Sequence, residues 1–109
     1  MVSNADTQTV QDLINNNKVM VFSKSYCPFA AKTKNLLNQA GVEYKLLELD
    51  QDSNGNNLQN ALQGISGQRT VPNVYIAKEH IGGNDNMQAA AANGSLKSKL
   101  DAAGVANNF

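Results

Sequence analysis

The chain has 109 residues, 41% hydrophobic and 17% charged, which suits one soluble domain built on one core. Nine basic residues balance nine acidic ones, so neither nucleic acid nor an anionic membrane surface is an expected partner. A single cysteine excludes an internal disulfide scaffold, and no apolar run approaches the ~18 residues of a bilayer span.

The opening MVSNADTQTV carries neither the basic nor the apolar region of a secretory signal. The expectation is therefore a reducing, cytoplasmic setting; a monomer is expected as well, with no residue pattern pointing for or against an oligomer. Asn93-Gly94-Ser95 matches a glycosylation sequon, but in that setting it reads as one helix ending and the next beginning.

Val10, Leu13 and Ile14 recur at helical spacing behind Ser3 or Asp6, so residues 3–16 predict a short amphipathic helix. Lys18-Val19-Met20-Val21-Phe22-Ser23 is a compact apolar run that suits a buried strand. Pro28 then suits the first turn of a second helix. Phe29, Thr33, Leu36, Leu37 and Ala40 fall on one face of it, and Gly41 closes it.

Residues 44–49 read as a second strand, parallel to the first through the helical crossover. Leu58, Ala61, Leu62 and Ile65 mark a third helix, closed by Gly64 and Gly67. Val74-Tyr75-Ile76 and His80-Ile81 predict a hairpin turning at Lys78-Glu79. A helix from Asp85 stops at Gly94, and Ser95 is the expected cap of a last helix carrying Leu96 and Leu100 and ending at Gly104. The tail from Val105 to Phe109 reads as frayed. The order is αβαβαββαα, one α/β domain over residues 1–109.

Chemistry centres on Ser25-Tyr26-Cys27-Pro28-Phe29-Ala30-Ala31. A lone cysteine is more often a buried small hydrophobe than a nucleophile. Cys27 instead falls between a strand end and a proline-started helix, where free N–H groups and the positive end of the helix dipole favour an anion. Lys24 can add positive charge, and the C-terminal edge of a parallel strand is a usual place for a site. Ala30 occupies the position of a second thiol, so any mixed disulfide on Cys27 must be released by an external thiol.

Arg69-Thr70-Val71-Pro72-Asn73-Val74-Tyr75-Ile76 adds a proline directly before a strand. Together with Cys27-Pro28-Phe29 and Gly82-Gly83-Asn84-Asp85, these motifs resemble the glutaredoxin family in order and spacing, across essentially the whole chain. The resemblance implies a thioredoxin-like fold, a four-stranded mixed sheet flanked by about five helices, with Pro72 in cis and facing Cys27. It implies glutathione as co-substrate, and glutathionylated proteins and small mixed disulfides as partners.

By the same resemblance, Lys24, Gln59 and Arg69 hold the glycine carboxylate, and Thr70 and Val71 meet the cysteinyl backbone like an added strand. Asn84 and Asp85 take the γ-glutamyl end, and Phe29 is the aromatic beside the thiol. Pro28, Pro72 and Gly83 complete the implied glutathione site. Ala30 departs from the family, where Cys or Ser is usual; an engineered replacement of the resolving cysteine is one account of it. The activity expected is a monothiol glutathione-disulfide oxidoreductase with Cys27 as nucleophile. The alternative is a glutathione-liganded iron–sulfur carrier, disfavoured because Pro28 stands where such members usually have glycine.

No metal is expected. Asp50-Gln51-Asp52-Ser53-Asn54-Gly55 imitates half of a calcium loop, but its twelfth position is Ala61 rather than a bidentate Glu. His80, the only histidine, falls in the far hairpin, which discounts a Cys–His hydrolase.

Overall fold

The computed structural model describes residues 2–109. Five helices and four strands follow in chain order: α1 Asn4–Asn16, β1 Val19–Ser23, α2 Pro28–Gln39, β2 Lys45–Glu48, α3 Gly55–Ser66, β3 Asn73–Ile76, β4 Glu79–Gly82, α4 Asn84–Asn93 and α5 Ser95–Ala102. This is the expected order, and the thioredoxin-like fold with a mixed four-stranded sheet is what forms. The sheet order is β2-β1-β3-β4. β1 runs parallel to β2 and antiparallel to β3, and β3 is antiparallel to β4.

The apolar run of β1 follows from its place. All five of its residues are buried, because side chains alternate across a strand and both faces of this one are covered. Val19 and Val21 join Leu37, Met87, Leu96 and Leu100 on the side of α2, α4 and α5. Met20 and Phe22 join Val10, Ile14, Leu58, Leu62 and Tyr75 on the side of α1 and α3. The helices thus form two layers with the sheet between them. No helix among the described residues is long and apolar enough to cross a membrane.

Several local expectations are corrected. Gly64 lies inside α3 rather than closing it, on a face where an added Cβ would meet nothing; Gly67, at φ 75°, is the true C-cap. The hairpin turns at Ala77 and Lys78, both with positive φ, one residue earlier than expected. That is the signature of a tight two-residue connection whose twist matches the strands. Gly94 both ends α4 and begins α5, so Ser95 is the first helical residue and not a side-chain cap.

On α2 the buried face holds Ala30, Thr33 and Leu37, while Phe29 is 55% exposed. The C-terminal tail is docked rather than frayed. The Asn108 N–H donates to the Ala40 carbonyl at 2.8 Å, and Val105 and Phe109 pack against the α2–α4–α5 core.

The calcium-like segment has a structural explanation. Asp52 accepts from the Asn54 N–H at 2.8 Å, and Asn54 donates its side-chain amide to Asp6 on α1. A Cβ on Gly55 would sit 1.8 Å from the Leu49 carbonyl oxygen. The glycine is there because α3 begins against the backbone at the end of β2.

Candidate active site

Cys27 is the N-cap of α2, with Pro28 in its first turn. Its carbonyl accepts from the Ala31 N–H at 3.0 Å, and its own N–H donates to the Lys24 carbonyl at 3.0 Å, closing a turn over Ser25 and Tyr26. Asp50, just beyond β2, anchors that turn from outside. It accepts from the Ser25 N–H at 2.8 Å and also from the Ser25 hydroxyl. These bonds, with the Lys24 charge nearby, hold the Asp50 carboxyl below its ordinary 3.8.

The thiol makes no cap bond to α2. Its Sγ instead lies 3.6 Å from the Val71 carbonyl oxygen across the cleft, within reach of a weak S–H donor. The thiol is partly accessible. Tyr26 and Phe29 stand exposed around it, and the Lys32 ammonium lies 5.3 Å from the centre of the Phe29 ring.

The Val71–Pro72 bond is cis. Next to it runs a groove of about 380 Å³ that brings together Phe29, Thr70, Val71, Pro72, Gly83, Asn84 and Asp85. Gly83 is the N-cap of α4, and its N–H donates to Asn86 Oδ1 at 3.1 Å. Asn84 is buried and accepts the Thr33 hydroxyl at 3.0 Å. That bond ties the helix carrying Asp85 to the helix carrying Cys27. Asp85, exposed in the first turn of α4, places a carboxylate at the groove's end.

Three expected residues lie behind or beside this groove. Gln59 is buried, and its amide donates to the Arg69 carbonyl at 2.9 Å, so it supports the loop backbone. The Arg69 guanidinium leans on α3, on Asn60 Oδ1 at 2.7 Å and Gln63 Oε1 at 3.1 Å. Lys24 follows β1 directly and opens the thiol turn. Ala30 is fully buried in the first turn of α2. Sequence reasoning missed Gln68, Asn86 and the Ser25–Asp50 pair. All three act on backbone groups or on residues distant in the chain, which no local pattern marks.

Two other features are separate from the thiol. His80, on edge strand β4, lies 2.9 Å from Asn73 Oδ1 and is tilted over Tyr75 at 5.0 Å between ring centres, and burial pushes its pKa below the ordinary 6.5. A larger hollow of about 620 Å³ lies at the opposite end of the sheet, between the starts of β1 and β2 and the C-terminal tail. Its lining includes Lys18, Tyr44 and Lys45 but no thiol, and it lies away from Cys27.

The glutaredoxin family model matches residues 19–81, from β1 through the hairpin. The chain belongs to the glutaredoxin family. It is 49% identical over 95 residues to a glutaredoxin of Vernicia fordii, covering 87% of this chain and 91% of that one. It is 48% identical over 94 residues to glutaredoxin-1 of Rhizophagus irregularis, covering 86% and 92%. Its structure superimposes on that of a buckwheat glutaredoxin–glutathione complex with a TM-score of 0.89 at 43% identity, over 92% of this chain and 91% of the other. A glutaredoxin with one cysteine thus has the thiol at a helix start, a cis-proline loop across from it, and beside it a groove lined by that loop and the start of α4.

Proposed function

We propose that this glutaredoxin cleaves glutathione mixed disulfides by a monothiol cycle through Cys27. The observation that carries this reading is a solitary, partly accessible thiol at the start of α2, directed at the Val71 backbone, with a groove beside it that ends at α4.

In the first step the Cys27 thiolate attacks the glutathionyl sulfur. The substrate S–S bond breaks, a Cys27–glutathione disulfide forms, and the departing protein thiolate takes up a proton. In the second step a glutathione thiolate attacks the glutathionyl sulfur on Cys27. Glutathione disulfide leaves and the Cys27 thiolate returns. Each cycle consumes one free glutathione, and the other glutathionyl group of the departing glutathione disulfide comes, already oxidised, from the substrate. With Ala30 in the resolving position, no thiol of this chain can perform the second step.

Selectivity for the glutathionyl sulfur follows if that half alone is held. The groove offers an extended backbone edge at Thr70 and Val71, and N–H groups with the Asp85 carboxylate at the start of α4, for the γ-glutamyl carboxylate and ammonium. Lys24 and Arg69 supply the cations for the glycine carboxylate, and Gln59 supports Arg69 from behind. A reducing cytoplasm provides the second glutathione.

Turnover of a glutathionylated peptide with excess glutathione tests this, with Cys27→Ser as the control. Loss of at least 10³-fold is expected for the variant, since the nucleophile is gone; retained rates would refute the reading. Visible absorbance of the freshly purified protein distinguishes it from a glutathione-liganded iron–sulfur carrier.

A further inference from the structure

Gln68 is tied into the cis-proline loop by both ends. Its backbone N–H donates to Ser66 Oγ at 3.1 Å, just after Gly67 closes α3. Its side chain then folds forward along the groove. The side-chain Nε2 donates to the Thr70 carbonyl and to the Pro72 carbonyl, both at 2.9 Å. A primary amide has two N–H donors, so both are engaged, one on each side of Val71.

A planar trans peptide sets its C=O and N–H in opposite directions. Binding the Thr70 carbonyl therefore turns the Val71 N–H away from Gln68. No acceptor among the described residues takes that N–H, whereas the Val71 carbonyl faces the Cys27 thiol at 3.6 Å. Gly83, from the start of α4, packs across the same amide: a Cβ there would lie 3.8 Å from Gln68 Nε2 and 3.6 Å from the Pro72 oxygen. The clamp thus sits where the cis-proline loop meets the α4 wall of the groove.

We infer that Gln68 is a positioning residue of the glutathionyl site: its amide clamps the carbonyls flanking Val71 and thereby presents the free Val71 N–H to the peptide backbone of the incoming glutathionyl group. This rests on the monothiol reading above. Gln68 acts through Val71 and touches no reacting atom. Its contribution falls on substrates that carry peptide amides next to the sulfur, and not on the reactivity of the thiol.

The test is the first step alone, in single turnover without free glutathione, read as release of a peptide thiol. Two substrates are compared: the peptide as its glutathione mixed disulfide, and the same peptide as its cysteamine mixed disulfide, whose attacked half carries no peptide amide beside its sulfur. Gln68→Met keeps the side-chain length and removes both donors. It is expected to raise the half-saturating concentration of the glutathionylated peptide about tenfold, the scale of one to two neutral hydrogen bonds. The maximal rate and the rate with the cysteamine disulfide should stay within about twofold, because a contact made equally before and during reaction changes KM alone.

Gln68→Ala gives the same comparison without added apolar length, should the methionine variant misfold. Equal losses on both substrates, or no loss on either, would overturn the role of Gln68 while leaving the monothiol cycle intact. A wild-type protein that cleaves neither disulfide would overturn both.

Discussion

Asp50 accepts two hydrogen bonds from Ser25, one from its backbone N–H at 2.8 Å and one from its hydroxyl. The two residues are 25 positions apart, and Ser25 stands two before Cys27. The thiol turn therefore has an external anchor at the end of β2, in addition to its own Cys27 N–H to Lys24 carbonyl bond.

Asp50→Ala should loosen that turn and lower kcat/KM for the glutathionylated peptide by roughly three- to tenfold. Asp50→Asn keeps an oxygen for the Ser25 N–H and a donor for the Ser25 oxygen, and should stay within about twofold. The pH sign is fixed by the depressed Asp50 carboxyl. Its folded-state pKa lies below the unfolded value, so the stabilisation is fully present above the ordinary 3.8 and fades as pH falls through the folded value. Denaturation curves of wild type and Asp50→Asn should converge in acid; a gap that widens in acid would contradict the clamp.

Ala30 lies three residues after Cys27, on the same side of the first helical turn, and is fully buried. Ala30→Cys should let Cys27 and the new thiol form an intramolecular disulfide, seen in intact mass as loss of two hydrogens after mild oxidation. The Cys27–glutathione adduct should then stop accumulating. Turnover with excess glutathione should change little. The added sulfur enters packed surroundings, so the reduced variant should lose about 1–2 kcal/mol of stability.

Thr33 and Asn84 share a buried hydrogen bond of 3.0 Å that joins α2 to α4. Thr33→Val removes the donor at nearly constant shape and leaves Asn84 Oδ1 with Gln88 at 3.2 Å. The expected cost is about 1 kcal/mol, a fall of about 5 °C in Tm for a chain of this size. Calorimetry checks this, and an unchanged Tm would mean that the bond adds nothing to the docking of α4.

Gly55 is fixed by space. Its Cβ would fall 1.8 Å from the Leu49 carbonyl oxygen, a backbone atom that cannot step aside. Gly55→Ala should cost about 3 kcal/mol, read from the denaturant midpoint. Gly64→Ala, on the open face of the same helix, should instead stabilise by a few tenths to about 1 kcal/mol.

These contrasts show what was legible in the sequence. β1 stood out because burial on both faces leaves an unbroken apolar run, and α2 because proline marks its start and Gly41, at φ 69°, follows its end. Gly64 misled because an exposed helical glycine has the same letter as a C-cap. Phe29 shared a helical face with core residues on a wheel, yet the first turn of α2 overhangs the groove and leaves it exposed. The docked tail depends on Asn108 reaching Ala40, 68 positions away, which local periodicity does not encode.

The site divided in the same way. Cys27 was legible from its place between a strand end and a proline-started helix, whereas Thr70, Val71, Asn84 and Asp85 came from the resemblance to the glutaredoxin family. Pro72 in cis came from family likeness alone. Gln68 had no signal, because its partners are the backbone carbonyls of Thr70 and Pro72, and a carbonyl looks the same in every residue.

The most direct measurement follows a glutathionylated peptide mixed with this protein, first without and then with glutathione, by peptide release and intact protein mass. The account predicts one peptide thiol released per protein and a single glutathione added to Cys27, then continuous turnover once glutathione is supplied. Release without an adduct, an adduct formed from the peptide half, or turnover that persists in Cys27→Ser would contradict it.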